Sequence, residues 1–135
     1  MTYRKADIRP YEPGDEPLLF GLASLDRGAD RRTLTVLERE TVFVAELEGA
    51  PAGYVALERE GDAVRVDQLF VSPEHEAEGI GRQLLEFAEG FAISERALSL
   101  QVVVASADRR ASAFYRGRGF VEAGEDLLEL VLPRP

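Results

Sequence analysis

The sequence contains no cysteine, no tryptophan and no asparagine, and histidine, methionine and lysine occur once each. Without cysteine there is no disulfide framework, no thiolate metal site and no cysteine nucleophile. One histidine, His75, among scattered acids leaves no metal constellation. No apolar run approaches the ~20 residues that a membrane span needs. Met1 to Pro10 is charged where a secretion signal would be apolar, so a soluble, cytoplasmic chain with no membrane partner is expected. Basic residues are also scarce, 16 against 25 acidic ones, for a formal net charge of -9 at pH 7. Such a field repels phosphate backbones within a Debye length, which excludes nucleic acid as a partner class. With Lys5 the single lysine, the acid excess also suits concentrated salt, although a coding bias toward arginine gives the same pattern.

What remains is enough for one core. For 135 residues, a folded surface of about 7,000 Å² against roughly 21,600 Å² for the open chain allows about two-thirds to be buried. No repeat, linker or low-complexity tract divides the chain, so residues 1–135 read as a single domain. Tyr3 to Arg9 suits a strand, Pro10, Pro13 and Gly14 break it, and Asp15 can cap a helix carrying Leu18, Leu19 and Leu22. A second short helix is expected over Leu34 to Arg39. Thr41 to Leu47, Ala52 to Arg59 and Val64 to Val71 alternate in strand fashion. Turns at Glu48-Gly49-Ala50-Pro51 and Glu60-Gly61-Asp62 make them an antiparallel meander. The period then changes: Ile80, Leu84, Ala88, Phe91 and Ala92 mark one buried face of a helix that ends near Glu95-Arg96. Leu98 to Ala105 is a valine-rich strand, and Arg109 to Arg116 a helix with Ala111, Phe114 and Tyr115 on one face. Phe120 to Leu132 supplies one or two closing strands. This order gives an α+β (mixed α/β) fold.

The segment from Val71 to Arg82, Val-Ser-Pro-Glu-His-Glu-Ala-Glu-Gly-Ile-Gly-Arg, runs from a buried strand into a helix. A helix start offers N–H groups without internal partners, and Gly79 and Gly81 let a ligand oxygen approach the main chain. A diphosphate matches that best. A dinucleotide fingerprint fails because Leu84 occupies the third glycine position, and a P-loop fails for want of Gly-Lys-Ser/Thr. The plain alternative is two glycines that only shape a turn.

A second motif, Asp108-Arg109-Arg110-Ala111-Ser112-Ala113-Phe114-Tyr115-Arg116-Gly117-Arg118-Gly119-Phe120, follows downstream. The two together resemble the GNAT superfamily of N-acetyltransferases, whose loop reads Q/R-x-x-G-x-G/A and whose later helix reads N-x-x-A-x-x-L-Y-x-x-x-G-F. The element order is similar over nearly the whole chain. The resemblance implies a central, mostly antiparallel twisted sheet with a splayed parallel strand pair and helices on both faces. It also implies acetyl-CoA as acyl donor and direct transfer to a primary amine in a ternary complex. Leu69, Phe70 and Val71 would present freed main-chain groups to the pantetheine arm, and one amide would donate to the thioester carbonyl as an oxyanion develops. Ala77, Glu78, Gly79, Ile80, Gly81 and Arg82 would wrap the pyrophosphate, and Val102 would line the other wall. Tyr115 matches the tyrosine that protonates the departing thiolate, and Ala111 and Phe114 read as packing, Ala111 small enough for the arm to pass.

Several positions depart from the pattern. Glu76 stands where Arg or Gln is usual, Ala77 replaces a common glycine, and Glu78 replaces a frequent lysine. Two exposed like charges at ~6 Å, each costing about 0.7 kcal/mol, would weaken cofactor affinity about tenfold. At molar salt the Debye length falls to ~3 Å and that penalty fades. Asp108 keeps an acceptor but loses the amide donor of the usual asparagine. Asp67 is the nearest carboxylate for a general base, and His75 reads as a solvated loop residue. Asp26, Asp30 and Glu58 could draw in a cationic amine, either a small molecule or a protein or peptide amine. Glu76, Ala77 and Asp108 also fit a different class, a degenerate module of the same fold that binds acyl-CoA or a protein without turnover. Sheet edges near the C terminus make a homodimer plausible.

Overall fold

A computed structural model describes residues 3–15, 41–105 and 107–133. The two helices expected between Asp15 and Thr41 lie outside the described residues, as do Asp26 and Asp30. Seven strands form one sheet in the order β1-β2-β3-β4-β5-β7-β6. They are β1 (Asp7–Pro10), β2 (Thr41–Leu47), β3 (Ala50–Glu60), β4 (Ala63–Val71), β5 (Ser99–Val103), β6 (Val121–Gly124) and β7 (Leu127–Val131). Among the described residues two α-helices accompany them, α1 (Ile80–Ser94) between β4 and β5 and α2 (Arg109–Gly117) between β5 and β6. Every pairing is antiparallel except β4 with β5, the pair that a helical crossover must join. The fold is α+β.

The meander forms because its turns are made of the right residues. Glu48 and Gly49 both take positive φ, 53° and 80°, which suits the right-handed twist of a two-residue hairpin. Several boundaries differ from the sequence pattern: β3 begins at Ala50 and takes in two residues of the expected turn, and β5 is shorter than Leu98 to Ala105. The opening strand starts at Asp7 rather than Tyr3 and includes Pro10, tolerated because β1 is an edge strand. The segment Pro73–Glu78, expected as irregular loop, winds into a 3-10 helix that breaks at Gly79, φ 79°. The closing stretch holds two strands, in keeping with the one or two expected; they form a hairpin, and β7 is the one beside β5.

Alternation divides the core between the two sheet faces. One face carries Val55, Leu57, Val64, Val66, Leu100, Val102 and Leu128, packed with Ile80, Leu84, Leu85 and Ala88 of α1 and Tyr115 of α2. Both described helices therefore cover the same face. The other face holds a separate cluster of Val42, Val44, Tyr54, Ala56 and Phe70. A buried glutamine, Gln83, ties the N-terminal segment to α1: its amide donates to Arg4 O (2.6 Å), and its carbonyl accepts from Ala6 N–H (2.9 Å).

Candidate functional site

Strand β4 changes partners along its length. Its parallel ladder with β5 runs from Ala63↔Ser99 to Val66↔Val102 and stops, while β4 continues to Val71 against β3. At that point the β3–β4 register jumps from Ala56↔Gln68 to Leu57↔Val66, so Asp67 is an extra, bulged residue. A bulge bends its strand and adds twist, and here it leads β4 away from β5. Ser72 donates its N–H to Ala52 O (2.8 Å), which fixes the parity of the strand end. Even-numbered Phe70 and Gln68 turn their main chain to β3, and odd-numbered Leu69 and Val71 turn theirs to the side that β5 has left.

A cleft of about 460 Å³ opens there. Leu69, Phe70 and Val71 form one wall, Pro73, Glu76 and Gly81 the end, and Asp108, Arg110, Ala111, Phe114 and Tyr115 of α2 and its cap the other wall. Gly81 sits at the floor: a Cβ there would lie 3.6 to 3.8 Å from Val71, Leu69 and Phe114, ordinary contact on the protein side but volume taken from the cleft. The first intrahelical bond of α1 runs from Gln83 N–H to Gly79 O (3.2 Å), so the N–H groups of Ile80, Gly81 and Arg82 precede it. The helix start thus brings donors and partial positive charge to the part of the cleft that Gly81 lines.

Tyr115 is 7 % exposed and fixed by edge-on contacts with Phe114 and Phe120 at centroid distances of 5.1 and 5.4 Å. Its hydroxyl meets no hydrogen-bond partner among the described residues, although buried phenols usually find one. Burial pushes its pKa up to about 12, so it holds its proton throughout the neutral range. An orphaned donor on a residue that lines the cleft and a glycine floor that adds no side-chain bulk both fit a bound acyl carrier.

The sequence-derived site residues separate on closer view. Leu69, Phe70, Val71, Gly81, Asp108 and Tyr115 come together around the cleft. Ala77, Glu78, Gly79, Ile80 and Arg82 contribute no lining side chain. Ile80 is fully buried in the core, Gly79 backs onto the Tyr3 ring, and Arg82 pairs with Glu86 at 2.9 Å. Val102 packs in the core below the cleft. Asp67 lies outside the lining, held by the Arg65 guanidinium, which also reaches Glu58 and Glu60. The Asp67 hydrogen bond is the first cause that raises the Arg65 pKa above its usual value. Asp108 accepts from Ala111 N–H (3.0 Å), spending its carboxylate as the cap of α2.

The acidic loop is less repulsive than its composition suggests. Glu78 turns away from the cleft to Arg4 (3.6 Å) and His75 Nδ1 (3.0 Å), so His75 is a half-buried loop brace rather than a solvated side chain. Glu76 stays in the lining but faces Arg110 at 3.6 Å. Arg110 and Pro73 are lining residues that pattern reading missed. A signal for Arg110 existed: Arg109 and Arg110 in the first turn of α2 oppose the helix dipole, which favours anions there.

The overall fold is shared with solved acetyltransferases. Residues 38–122 match the acetyltransferase (GNAT) domain, and the chain belongs to that family. An uncharacterized N-acetyltransferase of Archaeoglobus fulgidus is 31% identical over 85 residues, covering 58% of each chain, so the match spans little more than half of that relative's length. Among solved structures, Ard1 from Thermoplasma volcanium superposes with TM-score 0.83 at 19% identity over 96% of this chain and 99% of that one. The PaiA N-acetyltransferase of Thermoplasma acidophilum, in complex with coenzyme A, gives 0.76 at 17% over 93% and 98%. At these identities the two structures show a common fold. Among the described residues no helix is long and apolar enough to cross a membrane.

Proposed function

We propose that this chain transfers an acetyl group from acetyl-CoA to a primary amine by direct attack in a ternary complex. The observation that carries the reading is the end of the β4–β5 ladder at Val66↔Val102, which leaves Leu69 and Val71 with free main-chain groups opposite the buried, unpartnered Tyr115 hydroxyl. The T. acidophilum structure with coenzyme A, a protein of the same fold, supports the choice of carrier.

Acetyl-CoA, when bound, supplies an acyl carbon activated by a thiolate leaving group. The N–H of Leu69 or Val71 donates to the carbonyl oxygen as negative charge develops on it. The amine nitrogen bonds to the acyl carbon, the carbon–sulfur bond breaks, and Tyr115 gives its proton to the leaving sulfur. With the phenol pushed up to about 12 and a thiol ordinarily near 8.5, that transfer is uphill by itself; it is completed as the surplus proton of the new amide returns through water to the strongly basic phenolate. Asp67, engaged by Arg65, is a poor base, and we assign the acceptor's deprotonation to solvent. The N–H groups of Ile80, Gly81 and Arg82 hold the pyrophosphate, and Arg110 adds a cation at the rim. Gly81, Ala111 and the apolar walls give the pantetheine arm its channel.

Release of free thiol from acetyl-CoA, measured across a panel of small amines and N-terminal peptide amines, tests the reading. Amine-dependent release is expected for at least one member. Tight acetyl-CoA binding with no release from any acceptor would instead identify the non-catalytic module that Glu76 and Asp108 allow.

A further inference from the structure

At the other end of the sheet from the cleft, the starts of β4 and β5 and the end of β7 enclose a second, open groove of about 550 Å³. It lies on the face away from α1 and α2, because Ser99 and Gln101 alternate with the core residues Leu100 and Val102. Three carboxylates, Glu60, Asp62 and Glu129, line it together with the apolar side chains of Leu98 and Val131, which are 39% and 73% exposed. The Glu129 carboxylate is held in place by Gln101 Nε2 at 2.8 Å. Arg65 reaches this set only at Glu60, so three negative charges less one positive leave an excess of two.

Ser99 supplies an independent sign of a ligand. It is only 8% exposed, it lines the groove, and its hydroxyl has no hydrogen-bond partner among the described residues. A buried hydroxyl is ordinarily satisfied, and one with no protein partner is available to a polar group that enters the groove. The carboxylates are too dispersed for a compact ion, and no group of three or more His, Cys, Asp or Glu among the described residues could hold a metal. Anionic groups beside exposed hydrocarbon instead match a cation that carries its own alkyl chain.

We propose that this groove binds a primary alkylammonium ion, with the ammonium among Asp62, Glu129 and the Ser99 hydroxyl and its methylenes against Leu98 and Val131. A free diamine and a lysine side chain of another protein offer the same chemistry. The proposal is independent of the acetyl-CoA reading.

Amide NMR of the isotope-labelled protein, titrated at low salt without acetyl-CoA, tests it with cadaverine as the free diamine and Nα-acetyl-lysine amide as the side-chain mimic. Saturable shifts are expected at Asp62 and Ala63, at Leu98 to Gln101 and at Glu129 to Val131, and the tighter probe identifies the source. Replacing Asp62→Asn with Glu129→Gln is expected to weaken half-saturation about tenfold, and Ser99→Ala about threefold, with melting temperatures unchanged. No saturable shift in those segments, or an affinity indifferent to the paired carboxylate variant, overturns the proposal.

Discussion

The two halves of β4 have the same neighbours in sequence and opposite fates in space. From Ala63 to Val66 the strand is sealed between β3 and β5, its inward side chains are core, and Arg65 spends its charge on Glu58, Glu60 and Asp67. From Leu69 to Val71 one partner is gone, and the same kind of apolar residue lines a cleft. The bulge at Asp67 separates the halves. Side-chain chemistry distinguishes them poorly; what differs is whether main-chain groups are used up by a neighbouring strand. A strand end kept open by a bulge therefore leaves an edge of unused main-chain groups, the edge to which we assign the carrier, on residues that would otherwise be ordinary core.

That contrast breaks most visibly at Gly81. A Gly81→Val variant is expected to fold, because its Cβ meets only ordinary contacts. Its added methyls occupy the floor of the open half, so acetyl-CoA affinity measured by calorimetry should fall at least about a hundredfold. Unchanged affinity would mean that the open half is not where the carrier lies.

Tyr115→Phe sharpens the same half chemically. We expect kcat to fall by about a hundredfold with little change in acetyl-CoA affinity. Stability at pH 7 should be unchanged or slightly higher, since an unpartnered buried hydroxyl is removed. Alkaline titration gives a second readout. The folded-state pKa is raised from 10.0 to about 12, so the contribution of Tyr115 is intact below pH 10 and lost as pH rises toward 12. Over that window the wild type should lose up to about 3 kcal/mol more than the variant, read from denaturant midpoints at each pH. Equal losses would place the phenol in water rather than in the core.

Gly53 joins the halves from the β3 side. A Cβ there would lie 2.4 Å from the Phe70 carbonyl oxygen and 3.2 Å from Val71 Cα, backbone that cannot step aside cheaply. Gly53→Ala is expected to cost about 2 to 3 kcal/mol and lower the melting temperature by roughly 10 °C, with weaker acetyl-CoA binding because the cleft wall moves. The smallest effect belongs to the sealed half: Arg65→Met should cost about 1 to 2 kcal/mol, since its Glu58 and Glu60 partners are half-exposed or more and only Asp67, the least exposed of the three, loses a well-placed guanidinium. Acetyl-CoA affinity should not change. A large loss of affinity in that variant would show that the two halves are coupled.

Much of this arrangement was legible from periodicity and turn chemistry. Glu48-Gly49 and Gly61 announced the meander, and the change of period at Ile80 announced the crossover helix. The cleft residues Leu69 to Val71, Gly81 and Tyr115 were legible only through a motif, because one apolar strand residue looks like another until its ladder partner is known. The bulge at Asp67 left no local mark, since register is set by the partner strand. Charge was the least legible property. Glu76 and Glu78 read alike along the chain, yet one faces the cleft beside Arg110 and the other turns back to Arg4 and His75. Gln83, a polar residue on the buried stripe of α1, is explained only by the main chain of Arg4 and Ala6, far away in sequence.

The most direct test is a crystal structure of the protein soaked with acetyl-CoA. Density should run from the α1 start at Gly81 between β4 and α2, with the thioester oxygen within hydrogen-bond reach of the Leu69 or Val71 N–H and the sulfur beside the Tyr115 hydroxyl. Acetyl-CoA bound elsewhere, or an empty cleft in crystals soaked at saturating concentration, would contradict the claim that the broken β4–β5 ladder is the carrier site.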